Sequence, residues 1–595
     1  MVNLIINNKK ISVPEETTIL EAAKQNNILI PNLCYLENIH KIGSCRICVV
    51  EVEGMRNLQA SCMVTVREGM KVYTNSERVK KTRNVLFELM LSDHPKDCLK
   101  CERNQKCELQ KLGEQIQIKE ARFEGQKSQE VMDISSPSII RDTSKCILCR
   151  RCVTVCNEIQ GVGALNPQKR GFKTQIGPAM ALSLNSVNCA FCGQCTVVCP
   201  VGALVEKDAT QNVWKALFDK NKRVIVQTAP AIRAALGEEF GYEPGTLVTG
   251  KMVSALRQLA FDDVFDTNFT ADLTIIEEGN EFLQRVTKAL TGEGATLPMI
   301  TSCSPGWIKF VEHSFPEKLE HLSSCKSPHM MLGALAKSYY AEKLGMNPKD
   351  IFVVSIMPCT AKKYEIVRPE MINDGFHNVD AVLTTRELAL MIKKAGIDFQ
   401  ALEEDSFDNP LGLSTGAADI FAVTGGVMEA ALRTVYEIIT GRELPFAKLH
   451  ITPLVGFEQI KTAEITIKDP KEEFKFLEDF TVKIAVTSGL KGAKYLMDQI
   501  VRGESPYHFI EVMGCPGGCI SGGGQPRPTT PEIRLKRLQA IYNEDESKAI
   551  RKSHENPFVE TLYQDYLNEP LGHKSHELLH THYTKRGKFN ELLDE

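Results

Sequence analysis

Cysteine is the residue type here that could do most chemistry: the 595-residue chain has twenty, and most fall at metal-holding spacings. The densest pattern is Cys146-x2-Cys149-x2-Cys152-x3-Cys156, repeated 43 positions on as Cys189-x2-Cys192-x2-Cys195-x3-Cys199-Pro200. This is the two-cluster bacterial ferredoxin pattern, in which the fourth cysteine of each run binds the other run's cubane. Cys146, Cys149, Cys152 and Cys199 are expected to hold one [4Fe–4S] cluster, and Cys189, Cys192, Cys195 and Cys156 a second. Only the second run has its proline; Asn157 follows Cys156. Upstream, Cys34, Cys45, Cys48 and Cys62 suit a [2Fe–2S] cluster, although ten residues separate the first two, a variant of the plant-type spacing. A four-thiolate zinc site would use the same donors. His94, Cys98, Cys101 and Cys107 form another closed set of soft donors, open to a [4Fe–4S] cluster or to zinc. His94 stands four residues before Cys98, a spacing that predicts one helical turn between them.

These fifteen cysteines describe an electron wire. The N-terminus lacks the charged-then-apolar order of a signal peptide, and no apolar run is long enough to span a membrane, so a cytoplasmic protein is expected. In a reducing compartment many cysteines mean metal or redox chemistry rather than disulfides. A net charge of −4 offers no basic excess for nucleic acid or an anionic membrane. With 43% hydrophobic and 25% charged residues the composition is that of a globular protein.

The elements that must position the ligands read as five segments. Residues 1–80 carry short β-branched runs (Leu4–Ile6, Lys10–Val13, Cys48–Val52) and a helix start at Glu16–Ala23, a β-grasp-like [2Fe–2S] domain. Residues 81–137 form a small α-rich one-His/three-Cys cluster domain, and 138–215 an α+β two-cluster ferredoxin domain. Residues 216–534 alternate buried strands (Arg223–Gln227, Ile351–Ile356, Val482–Val486) with helices (Pro328–Lys343, Val427–Thr440), predicting a large α/β domain with parallel sheets. Residues 535–595 are charged and helical without apolar runs, a wrapping extension.

Five cysteines remain: Cys303, Cys325, Cys359, Cys515 and Cys519. Four of them lie in Thr301-Ser-Cys-Ser-Pro-Gly-Trp307, Met357-Pro-Cys-Thr-Ala-Lys-Lys-Tyr-Glu365 and Glu511-Val-Met-Gly-Cys-Pro-Gly-Gly-Cys-Ile-Ser-Gly-Gly-Gly-Gln-Pro526. Together these resemble the three signature segments of [FeFe] hydrogenases, and the whole chain resembles the long clostridial type. Its first 220 residues also resemble the large iron–sulfur subunit of complex I.

The resemblance implies an H-cluster: a [4Fe–4S] cubane joined through a cysteine sulfur to a di-iron unit with CO, cyanide and azadithiolate, catalysing 2H⁺ + 2e⁻ ⇌ H₂. By motif position Cys359, Cys515 and Cys519 ligate the cubane, with Cys519 bridging. Lys362 would hydrogen-bond a cyanide, Met357 and Met513 would pack on the di-iron unit, and Pro230 and Ala231 would lie beside it. The family normally has two adjacent cysteines in the first segment, a proton relay and then a cubane ligand. Here the pair is Cys303-Ser304, so Ser304 occupies the ligand position. Two alternatives stay open: Cys303 ligates after a local shift, or Cys325 supplies the thiolate or protects the site. Family position suggests a proton route from Cys303 through Glu278, Ser323, Glu281 and Arg285. The electron partner would be ferredoxin or an NAD(P)H- and flavin-bearing subunit, and separate maturation enzymes would insert the di-iron unit. Gly425-Gly426 alone is a weak phosphate motif and is read as backbone packing.

Overall fold

The computed structural model describes residues 1–128, 130–445, 452–454 and 457–587. Backbone contacts divide the chain into two compact units: Met1–Glu158, Gly163–Leu184 and Val198–Val205 form one, and Ile159–Val162, Asn185–Val197 and Glu206–Glu595 the other. The division falls inside the 138–215 segment, so Cys189, Cys192 and Cys195 belong to the second unit.

The first unit opens with a five-stranded mixed sheet in the order Lys9–Val13, Val2–Ile6, Lys71–Tyr73, Val49–Val52, Gln59–Ala60. Its helix starts at Ile19 and not at Glu16, because Thr18 and Glu21 close a capping box on each other's backbone N–H. Ile19, Leu20, Ala22 and Ala23 share a buried cluster with Cys48 and Cys62. The Glu77–Asp93 helix stops one residue before Pro95, which drives His94 to φ −91° and ψ 140°. His94 is therefore not one helical turn from Cys98; Cys98 opens a separate short turn, Cys98–Lys100.

The second unit is built on two sheets. One is wholly parallel, in the order Asp263–Asp266, Arg223–Thr228, Ile351–Met357, Ala381–Thr384. The other is mixed: Met299–Ile300, Phe509–Met513 and Thr481–Ser488 run parallel, but Phe457–Thr466 pairs antiparallel to Thr481–Ser488. The expectation of parallel sheets therefore holds for the first sheet and for half of the second, where a hairpin can cap the edge without a crossover.

The Asn268–Thr291 helix is buried along most of its length and carries Glu277, Glu278, Glu281 and Arg285. The Gly426–Thr440 helix begins behind Gly425 at φ +91°, and a Cβ on Gly426 would meet the Ile420 carbonyl at 1.7 Å, so only glycine fits. The helix expected over Pro328–Lys343 is interrupted by a π turn at Ala336–Tyr340. The tail starts a helix at Pro531, four residues before the expected boundary. It has no apolar run, yet Ile541, Leu562, Leu567 and Leu579 are fully buried, one or two per short element. Among the described residues no helix is long and apolar enough to cross a membrane.

Candidate active site

Four segments leave the carboxyl ends of parallel strands, where open α/β sheets place their ligands. Pro230–Arg233 follows Arg223–Thr228, Pro358-Cys359 follows Ile351–Met357, Thr301–Trp307 follows Met299–Ile300, and Gly514-Cys515 follows Phe509–Met513. They converge. Cys515 has Cys359, Cys519 and Cys192 as neighbouring thiols. Lys362 donates to the Cys303 carbonyl at 3.0 Å and to Glu365 at 2.7 Å, tying the first and second segments together. Met357 and Met513 are buried at the strand ends, with Pro230 and Ala231.

Glycine lets backbones close on this cradle. A Cβ on Gly518, at φ +97°, would lie 2.8 Å from the Thr424 nitrogen, and one on Gly522 would lie 2.2 Å from the Pro358 oxygen. The Cys189–Cys195 loop is seated the same way: a Cβ on Gly523 would be 2.5 Å from the Cys192 carbonyl oxygen, and Gln194 donates to the Ser521 carbonyl at 2.9 Å. Cys192 and Cys515 thus approach each other through packed backbone.

Cys303 and Ser304 face different ways. Cys303 has Glu278, Cys519 and Lys362 as its titratable neighbours, and burial pushes its thiol up, so it stays protonated. Ser304 begins the Pro305–Ser314 helix without capping it, although serine is a favoured cap. Its Oγ instead lies against Gly514, 2.7 Å from where a Cβ would stand, on the chain just before Cys515. Cys325 lies elsewhere, among Glu281, Glu278 and Glu277.

From Cys303 a line of polar groups runs outward. Burial, with Glu281 and Glu511 nearby, pushes Glu278 up to about 8, and Ser323 hydrogen-bonds it. Ser323 Oγ donates to Glu281 Oε2 at 3.1 Å, and Arg285 donates to Glu281 Oε1 at 2.6 Å. Arg285 also donates to the Glu320 carbonyl at an exposed position.

In the first unit, Cys48 and Cys62 bring their sulfurs to 3.4 Å, and Cys34 interacts with Cys45 and Cys62. His94, Cys98, Cys101 and Cys107 line one cavity of about 1180 Å³. Burial pushes His94 down to about 4, which leaves the neutral imidazole a metal requires. Cys146, Cys149, Cys152 and Cys199 line one small pocket.

Several residues of the signature segments take site contacts that the sequence alone does not assign. Gln525 donates to the Ala231 and Cys519 carbonyls at 3.1 and 3.3 Å, tying two of the four segments. Glu511 accepts from the backbone N–H of Gly425 and Met428 at 2.6 and 2.8 Å. The Gly425-Gly426 helix start is therefore occupied by a side-chain carboxylate, where a phosphate motif would need it open. Burial raises Glu365, but Lys362 and His329 outweigh it and hold Glu365 down at about 2. Of these, only Glu365, three residues from Lys362 on a helical turn, could have been sought by spacing.

Residues 222–523 match the family described as the iron only hydrogenase large subunit, C-terminal domain, and residues 531–586 the iron hydrogenase small subunit. Residues 1–77 match a 2Fe-2S iron-sulfur cluster binding domain, 83–122 the NADH-ubiquinone oxidoreductase-G iron-sulfur binding region, and 136–205 the ferredoxin-like domain of NADH-quinone oxidoreductase subunit 3. The NADP-reducing hydrogenase subunit HndD of Solidesulfovibrio fructosivorans is 51% identical over 594 residues, covering 98% of this chain and 99% of that protein. Iron hydrogenase 1 of Clostridium pasteurianum is 40% identical over 592 residues, covering 98% and 100%. A solved [FeFe]-hydrogenase HydA1 from Chlamydomonas reinhardtii matches with a TM-score of 0.59 and 46% identity, over 64% of this chain and 99% of that one.

Proposed function

Since this chain belongs to the iron-only hydrogenase family and catalyses 2H⁺ + 2e⁻ ⇌ H₂ at an H-cluster domain served by accessory iron–sulfur domains, we propose which residues hold the metal, pass the proton and receive the electrons. The observation that carries the reading is the convergence of Cys359, Cys515 and Cys519 with Lys362 and Cys303 at four strand ends. The donors fit an H-cluster: soft thiolates for a cubane, glycine-lined backbone for close approach, methionine and alanine walls for carbon monoxide. When bound, the di-iron unit supplies the metal at which protons and electrons combine.

Cys359, Cys515 and Cys519 would hold the cubane, with Cys519 the ligand nearest the di-iron unit, and Ser304 would take the remaining ligand position. Cys325, set among carboxylates, is assigned no cluster role. Lys362 spends two of its ammonium hydrogens on Cys303 and Glu365, and the third would be free to hold a cyanide. Met357, Met513, Pro230 and Ala231 exclude water from the di-iron side. Cys303 would exchange a proton with the metal side, Glu278 would hold it near neutral pH, and Ser323 and Glu281 would pass it on, with Arg285 orienting Glu281 at the solvent end.

The accessory complement is one [2Fe–2S] cluster on Cys34, Cys45, Cys48 and Cys62, and three [4Fe–4S] clusters. One of these uses His94, Cys98, Cys101 and Cys107, and one Cys146, Cys149, Cys152 and Cys199. The third would be held by Cys189, Cys192 and Cys195, with Cys156 as the sequence pattern expects, and the seating of Cys192 on Gly523 would give electrons their way toward Cys515. The HndD likeness favours an NADP-linked redox subunit as partner over free ferredoxin. Purification with native partners tests this: NADP⁺ reduction by H₂ in the complex supports it, and a chain that exchanges electrons only with ferredoxin contradicts it.

A further inference from the structure

We propose that Glu281, Cys325 and His580 form a binding site for a soft divalent transition-metal ion such as zinc, placed so that its occupation shuts the proton route. A carboxylate oxygen, the Cys325 sulfur and an imidazole nitrogen lie within 4.8 Å of one another, and all three residues are buried. Thiolate, imidazole and carboxylate are the donors zinc takes. Two of the three are fixed by backbone. Cys325 and His580 pair in an antiparallel bridge, with Lys326 N–H donating to the Leu579 carbonyl and Thr581 N–H to the Ser324 carbonyl, both at 2.8 Å. Glu281 stands opposite on the Asn268–Thr291 helix.

His580 is oriented as a ligand would be. Its Nε2 lies 3.0 Å from Glu277, which also accepts from the Tyr563 hydroxyl at 2.5 Å and the Leu571 N–H at 2.9 Å. Burial raises Glu277, but these donors outweigh it and keep the carboxyl below its ordinary value. An ionised carboxylate only accepts, so Nε2 carries a hydrogen toward Glu277, and Nδ1 is the nitrogen left to face a metal. A carboxylate behind a histidine in this way is what fixes metal-binding imidazoles. Ser324 Oγ donates to Glu281 Oε2 at 3.1 Å and lies 2.8 Å from Nδ1, so binding an ion displaces this hydroxyl and any hydrogen on Nδ1 leaves to solvent.

Metal bonds of about 2.0–2.3 Å in a tetrahedron put ligands roughly 3.5 Å apart, so the three atoms need to close by about an ångström. Binding releases the Cys325 thiol proton to solvent. The thiolate and the Glu281 carboxylate then balance the ion's two charges, with a neutral imidazole as third ligand. The same carboxylate accepts from Ser323 and Arg285, so an ion on Glu281 takes the oxygens that carry the proton. The effect on turnover rests on the proposed relay; the site itself does not.

The probe is zinc chloride added to the fully loaded enzyme, followed by desalting, metal analysis, zinc-edge X-ray absorption and H₂ evolution. The expected result is about one zinc retained, with a single sulfur and otherwise nitrogen or oxygen neighbours. Turnover should fall about a hundredfold, the lower range for a lost proton-transfer group. His580→Gln and Cys325→Ala should each lose both the zinc and the inhibition. No retained zinc, an all-sulfur shell, or equal inhibition of both variants overturns the site. Zinc held in the expected shell with undiminished turnover supports the site and removes Glu281 from the proton route.

Discussion

Glu278→Gln isolates proton transfer from everything else in the site. The side chain is fully buried, next to Cys303 on one side and Ser323 on the other. Because burial holds its carboxyl up at about 8, the native group is neutral at pH 7, and a neutral amide leaves no buried charge behind. Fold and metal content should therefore survive, while the amide cannot relay a proton. General acid–base groups contribute about 10²–10⁴ in rate, so turnover should fall by at least about a hundredfold, roughly 3–5 kcal/mol on the barrier. The native pH profile adds a second readout. H₂ evolution needs the protonated acid, which is populated below about 8, so evolution should decline above that pH while H₂ uptake gains an acceptor. The assay is H₂ evolution from reduced methyl viologen across pH, with iron content and carbonyl infrared bands as controls. Turnover within twofold of native, with the alkaline decline intact, would refute the relay.

Ser304→Cys puts a thiol where the serine Oγ now faces Gly514; the cubane's paramagnetic resonance and reduction potential should both shift, and unchanged spectra with unchanged activity would sink the ligand position. Lys362→Met removes the donor shared by Cys303 and Glu365, and matured protein should lose cyanide infrared bands while keeping accessory-cluster signals; intact bands count against cyanide anchoring. Gly523→Ala drives a methyl to within 2.5 Å of the Cys192 carbonyl, so magnetic coupling between neighbouring reduced clusters should weaken; unchanged coupling means electrons do not cross there. Arg233 is fully buried and bonds Asp266 and Asp419 at 2.9 Å. Arg233→Met leaves both carboxylates without it, at about 3–5 kcal/mol, and an unmoved thermal unfolding midpoint would contradict this.

Much of this site is legible in the sequence because cysteine spacing is dictated by cluster geometry and survives without knowledge of the fold. The structure brings Cys359, Cys515, Cys519 and Lys362 together at the strand ends and joins Ser323, Glu281 and Arg285 by hydrogen bonds; the roles given to these residues are proposals. Spacing along a supposed helix is a weaker guide. The four-residue step from His94 to Cys98 suggests a turn of helix, but Pro95 forces His94 extended. The tail looks peripheral because it has no apolar run, yet it inserts isolated leucines and brings His580 to Glu277 and Ser324 across more than 250 residues. Gln525 and Glu511 lie inside the third signature segment, but they act on Ala231 and Gly425, distant in the chain, so the segment does not show what they hold.

Infrared spectroscopy of the matured chain, run alongside H₂ evolution from reduced methyl viologen, tests the central claim most directly. Carbon monoxide and cyanide bands that change as H₂ is produced are the expected result. An iron-complete chain, offered the di-iron unit by its maturation enzymes, that shows neither bands nor H₂ would contradict it.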